Sequence, residues 1–168
     1  MNLHEEATEP ANVSLYALVP NILLFAFIAC MEYIVLLIIM QQLGLVQIVE
    51  LRMINYVLLS LTTIYQVKHL MKRYGRYFRF LQVLMISMVT GSVSFALFSL
   101  YLFAYSYFDK EFFDMLQKHS PGAIRSIPAL IVLFEGIGVS VIIGFINMQY
   151  FLRFETPDRD NTKEAGRH

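Results

Sequence analysis

Charged side chains are scarce in this chain. Only 15% of its 168 residues are Asp, Glu, Lys or Arg, whereas soluble domains hold about a quarter. The 13 basic and 13 acidic residues cancel, which removes the electrostatic argument for a nucleic-acid partner. Hydrophobic residues make up 57% of the chain instead. We therefore expect most of it to lie in a membrane.

The sequence also lacks the signatures of enzymes and of redox chemistry. Cys30 is the only cysteine, so it cannot form an internal disulfide, and its place in an apolar run indicates a packing residue. The four histidines are scattered, without a second ligand at metal-binding spacing. There is no Gly-rich phosphate loop and no nucleophile elbow. We predict no enzymatic activity, no cofactor and no metal site.

Four apolar segments predict an all-α membrane protein, a bundle of four transmembrane helices. A helix crosses the hydrocarbon core with about 20 residues. The transmembrane domain is predicted over residues 15–152, with spans at about 15–41, 53–68, 80–108 and 127–152. The second span is the weakest, since it is short and contains Asn55, Thr62 and Thr63. These polar side chains favour a helix that faces protein more than lipid.

The segments outside the spans are predicted to be short. Residues 1–14 are polar and acidic where a signal peptide would be basic, so we expect a flexible cytoplasmic tail and a retained first span. Phenylalanines mixed with charged residues between Asp109 and Ser120 indicate a short interfacial helix. The polar stretch 153–168 is expected to be a disordered cytoplasmic tail.

A basic cluster between the second and third spans predicts the orientation. Its members are Lys68, Lys72, Arg73, Arg76 and Arg79. With four spans, this cluster shares one side of the membrane with both termini, and that side holds nine of the 13 Lys and Arg residues. The positive-inside rule then places both termini in the cytoplasm. The cluster is also expected to contact anionic lipid headgroups.

Two acids fall inside predicted spans. Glu32 and Glu135 lie about ten and eight residues from the outer ends of their spans, at a similar predicted depth. An ionised carboxylate there costs about 2.5–3.5 kcal/mol, so each acid should be protonated, paired or in a wet cavity. One interpretation is a proton- or cation-binding pair between the first and fourth helices. The other is a structural role, with each acid neutral or hydrogen-bonded to Asn55, Tyr33, a serine or a partner subunit.

Small residues form a ridge beside Glu135. Gly136, Ser140 and Gly144 are spaced by four and therefore share one face of the fourth helix. Ser87 and Gly91 form a shorter pair of the same kind on the third helix. Such faces let two helix backbones approach closely. The fourth-helix ridge could pack against the third helix of the same chain or against another molecule, and the sequence leaves both open.

Several stretches together resemble a known family. They are the basic aromatic hinge "IYQVKHLMKRYGRYFRFLQVL", the segment "YFDKEFFDMLQKHS" and the end of the last span "NMQYFLR". Over about residues 15–153 the chain resembles the four-span proteins grouped as domain of unknown function 4199, found mostly in Bacteroidota. It differs by its compact outer loop and by the acids within its spans. The resemblance implies a bacterial inner membrane and carries no activity.

The function expected from these features is a non-enzymatic one. The chain is predicted to be a structural or accessory subunit that packs through its small-residue faces. Its predicted partners are the lipid bilayer and either a second copy or a larger membrane complex. The alternative is a proton- or cation-conducting oligomer that uses Glu32 and Glu135.

Overall fold

The described part of the chain is entirely helical. A computed structural model describes residues 15–45, 53–74, 80–109 and 127–154, and within them every regular element is an α-helix. This confirms the all-α prediction. The helices are α1 (Leu15–Gln42), α2 (Met53–Tyr74), α3 (Phe80–Phe108) and α4 (Ile127–Phe154).

Three of these helices are long and apolar enough to cross a membrane. The qualifying segments are Ala17–Gln42, Leu81–Phe108 and Ile127–Phe151. α2 differs because its last two turns carry Lys68, His69, Lys72 and Arg73. It continues six residues past the predicted end of the second span at residue 68. The first three members of the basic cluster, Lys68, Lys72 and Arg73, are therefore helical and belong to α2.

α1 ends just before a glycine in the left-handed backbone conformation. Gly44 has φ +68°, a conformation that costs glycine little because it has no Cβ. The Gly44 N–H bonds to the Gln41 carbonyl (3.1 Å) and the Leu45 N–H to the Met40 carbonyl (2.8 Å). This pair of bonds is the Schellman motif, which satisfies carbonyls at the end of the helix.

The helices alternate in direction, and α2 and α3 form the middle of the bundle. Both α2 and α3 contact all the other helices, whereas the backbones of α1 and α4 do not approach each other in the described ranges. α1 runs antiparallel to α2, since Glu32 pairs with Thr62 and Asn21 with Gln66. α3 likewise runs antiparallel to α2 and to α4. The polar side chains of α2 thereby come within reach of every other helix.

Aromatic side chains fill the core between α1 and α3. The buried Tyr33 ring stacks on Phe95, with ring centroids 5.0 Å apart, and meets the edge of Phe98 at 5.5 Å. Ala29 and Cys30 of α1 are buried in the same cluster. Cys30 is thus a packing residue in the structure.

Several predicted features lie outside the described residues. These are the N-terminal tail, Arg76 and Arg79 of the basic cluster, the interfacial helix after Asp109, and the tail beyond Phe154.

Candidate functional site on the polar face of α2

One face of α2 is buried, and half of its residues are polar. The buried positions follow helical spacing and are Leu59, Thr62, Thr63, Gln66, Val67 and Leu70. A buried polar group without a hydrogen bond is costly, most of all where lipid replaces water. Each polar side chain on this face should therefore have a partner on a neighbouring helix.

Gln66 connects three helices. Its Nε2 donates to Asn21 Oδ1 on α1 (3.2 Å), and its Oε1 accepts from the Thr90 hydroxyl on α3 (2.9 Å). Gln66 and Thr90 are both fully buried. The amide uses one donor and one acceptor at once, which fixes α1, α2 and α3 in a single register.

Asn147 makes the matching connection from α4. Its Nδ2 donates to Thr63 Oγ1 on α2 (2.8 Å) and to Ser87 Oγ on α3 (3.2 Å). The Thr63 hydroxyl in turn donates to the Leu59 carbonyl (2.8 Å). Asn147 Oδ1 is buried without a hydrogen-bond partner in the described part of the chain. Together the two networks tie the other three helices to the same face of α2.

The two intramembrane acids also bond to α2, at separate points. The Thr62 hydroxyl donates to Glu32 Oε2 (2.9 Å), and Glu32 is half-buried. The Tyr56 hydroxyl donates to Glu135 Oε1, and Glu135 is exposed on the outside of the bundle. Asn55 and Tyr33 were expected as partners from the sequence, but neither donates a hydrogen bond to Glu32 or Glu135.

The acids do not form the pair that similar depth suggested. They lie on α1 and α4, whose backbones do not approach each other in the described ranges. Their partners Thr62 and Tyr56 are six residues apart on α2, which corresponds to about 9 Å along the helix axis. The structure thus places the two acids at separate points along α2, each with its own hydroxyl partner.

The small-residue ridge of α4 packs against α3. A Cβ on Gly91 would lie 2.7 Å from Ser140 Cβ, and one on Gly136 would lie 2.5 Å from Phe95 Cβ. A Cβ on Gly144 would come within 3.2 Å of the Leu84 carbonyl oxygen. The first two distances are shorter than carbon atoms in contact allow, and the third is tight, so the glycines permit the close approach of α3 and α4.

This packing decides between the two roles left open for the ridge. Gly136, Ser140 and Gly144 are buried, as are Ser87 and Gly91 on α3. The ridge is therefore used within one chain and is not exposed to a partner. Gly138 lies on a different face of α4, where it is exposed and where an added Cβ would have no atom within 4 Å.

An apolar groove of about 490 Å³ runs between α2 and α4 on the outside of the bundle. It is lined by Tyr56, Val57, Ser60, Leu61, Val139, Ile142, Ile143 and Ile146. Tyr56, with its bond to Glu135, marks one end. Past the other end, Lys68 Nζ lies 5.6 Å from the centre of the Tyr150 ring, within the range of a cation–π contact.

The described residues contain no group of three or more His, Cys, Asp or Glu side chains placed to hold a metal ion. In comparisons with known proteins, no family model, curated sequence or solved structure matched this chain. The resemblance to domain of unknown function 4199 stays a prediction.

Sequence reasoning missed most of the hydrogen-bond network. Asn21, Gln66 and Asn147 were not singled out, although Asn21 and Asn147 are amide side chains inside long apolar helices and Gln66 follows Thr62 and Thr63 on α2. The available signal was the spacing of Thr62, Thr63 and Gln66, which places all three on one helical face. Their partners could not be predicted, because they lie on helices distant in sequence.

Proposed function

We propose that this protein is a non-enzymatic membrane subunit that associates with a second copy or a larger membrane complex through the exposed face of the N-terminal half of α4. The observation that supports this proposal is the exposure of Glu135 on an apolar surface. Ile131 and Phe134 beside it are 53% and 70% exposed. Gly138, one turn further along the same face, is exposed as well.

The physical argument is the cost of an acid that faces lipid. An ionised carboxylate in the bilayer costs about 2.5–3.5 kcal/mol, and the single hydroxyl of Tyr56 offsets only part of this. A neighbouring protein that donates a second hydrogen bond or a cation removes the remainder. Gly138 favours such a neighbour because it lets another helix approach closely.

We also propose four membrane spans with both termini in the cytoplasm of a bacterium. The part of α2 before Lys68 has 15 residues, about 22 Å of helix, and the long side chain of Lys68 extends its reach toward the ~30 Å of the hydrocarbon core. Its polar face turns inward onto three apolar helices, and its basic residues gather at one end. The alternating helix directions agree with four successive crossings.

Cysteine crosslinking in native membranes tests the interface. In a Cys30→Ser background, we expect Gly138→Cys to give crosslinked adducts with a bifunctional maleimide. Leu100→Cys on α3 is the matched control, since Leu100 is 65% exposed on another helix. The mass of the adduct distinguishes a second copy from a different protein.

Glu135 itself is tested in the same background. Glu135→Leu should lower the Gly138→Cys crosslinking yield, because it removes the group that the neighbour binds. Equal yields from Gly138→Cys and Leu100→Cys, with no effect of Glu135→Leu, would contradict the proposal.

A second candidate function is ion conduction by an oligomer that uses Glu32 and Glu135. The supporting observation is that both acids accept hydrogen bonds from hydroxyls of the same helix, α2. Proton and cation flux into liposomes is the direct measurement. Unchanged flux in Glu32→Gln and Glu135→Gln would exclude conduction through these acids.

A further inference from the structure

The α2–α4 groove and the basic end of α2 are parts of one continuous surface. Six of the eight residues that line the groove are aliphatic. Lys68 follows Leu61 by seven residues, and Tyr150 follows Ile146 by four, so both lie on the helix faces that line the groove. The contact of Lys68 with the Tyr150 ring joins α2 and α4 directly beyond it.

We propose that this surface binds one anionic phospholipid, with an acyl chain in the groove and the phosphate at Lys68. The proposal concerns the groove and the basic end of α2, where Lys68 lies, and it goes beyond the assembly role. It does not depend on which molecule contacts Glu135.

The dimensions of the surface fit a single lipid in one leaflet. Lys68 and Val57 are eleven residues apart on α2, which corresponds to about 16 Å along the axis. One leaflet contributes about half of a hydrocarbon core of ~30 Å. A lipid whose phosphate contacts Lys68 would therefore extend its chain along the groove to the level of Val57.

The charge distribution selects an anionic headgroup. Lys68 is exposed, and Lys72 is exposed one turn further on the same side of α2. Lys68 attracts the phosphate of any phospholipid. Lys72 then lies where the rest of the headgroup projects, so it disfavours a cationic choline and favours a headgroup with net negative charge.

Native mass spectrometry of the full chain in mild detergent tests this site. The probes are phosphatidylglycerol and phosphatidylcholine with the same acyl chains. We expect one phosphatidylglycerol per chain, bound several-fold more tightly than phosphatidylcholine. Lys68→Gln should weaken phosphatidylglycerol binding about fivefold. Arg73→Gln is the matched control, because it removes the same charge from a different side of α2.

The acyl chain is tested with bulky substitutions in the groove. Leu61→Trp should weaken both lipids, while Leu100→Trp, at a similarly exposed position on α3, should weaken neither. Ile146→Trp on the α4 wall is a second groove variant if Leu61→Trp does not fold. Equal losses in Lys68→Gln and Arg73→Gln would overturn the proposal, as would full lipid binding in both groove variants. Displacement of the lipid by millimolar inorganic phosphate would also overturn it, because the groove would then contribute nothing.

Discussion

The contact between α3 and α4 allows a sharp test of the fold at one glycine. In Gly136→Ala, the added methyl would lie 2.5 Å from Phe95 Cβ. A Cβ is held by the backbone, so the clash cannot be relieved by rotating the Phe95 side chain. The two helices must separate, which also disturbs the stacking of Phe95 on Tyr33.

The expected magnitude follows from two opposing effects. Overpacking of a well-packed interface costs about 1–3 kcal/mol. Replacement of a helical glycine by alanine recovers about 0.5–1 kcal/mol. We therefore expect Gly136→Ala to lower the free energy of unfolding by roughly 1–2 kcal/mol.

Gly138→Ala is the matched control on the same helix. It has the same change in helix propensity, but no atom lies within 4 Å of its added Cβ. We expect it to be neutral or to stabilise by up to about 1 kcal/mol. The difference between the two variants isolates the steric cost, about 1–3 kcal/mol.

The assay is reversible unfolding of the full chain in mixed micelles with increasing SDS, followed by far-UV circular dichroism and tyrosine fluorescence. If the free energies of unfolding of the two variants agree within about 0.5 kcal/mol, the assignment of Gly136 to the α3–α4 contact is refuted. Stabilisation by Gly136→Ala would refute it more strongly.

Three further predictions use the same protein. Asn147→Leu should lower stability by about 1–2 kcal/mol in the SDS assay, because it removes two donated hydrogen bonds, while Gln149→Leu at an exposed position of α4 should change stability little. An Asn147→Leu variant as stable as the wild type would mean that the polar network holds no helix in place. Cys30 is 5% exposed, so N-ethylmaleimide should modify it far more slowly in mild detergent than in denaturing SDS, and equal rates would place it outside the core. The topology can be tested in a Cys30→Ser background with an impermeant maleimide. Glu164→Cys should be labelled only in inverted vesicles, and Ser120→Cys only in intact cells. The opposite pattern would reverse the proposed topology.

Composition and hydropathy were sufficient to predict the helical class and the positions of three apolar helices. Long apolar runs must form helices in a membrane, because each backbone group then finds its hydrogen bond within the segment. α1, α3 and α4 begin and end within two residues of the ends read from the sequence. The end of α1 at Gly44 is likewise a local property of the chain, because glycine adopts the left-handed conformation at little cost.

The length of α2 was harder to read from the sequence. The basic residues after Val67 suggested a link between spans, yet the helix continues to Tyr74. Lysine and arginine are good helix formers, and their long side chains extend from the end of a buried helix toward water. Charge therefore indicated where the buried part of this segment ends while giving no information on its secondary structure.

The partner of each functional side chain was decided by tertiary structure alone. The sequence determined that Glu32 and Glu135 would lie in apolar helices and that α4 would carry a ridge of small residues. It did not determine that α1 and α4 would lie apart, which separates the acids, or that the ridge would pack against α3 of the same chain. Depth along a helix follows from counting residues, but which face meets which neighbour depends on the packing of all four helices at once. This packing leaves Glu135 on the outside of the bundle, because the ridge on the adjacent face of α4 holds that helix against α3.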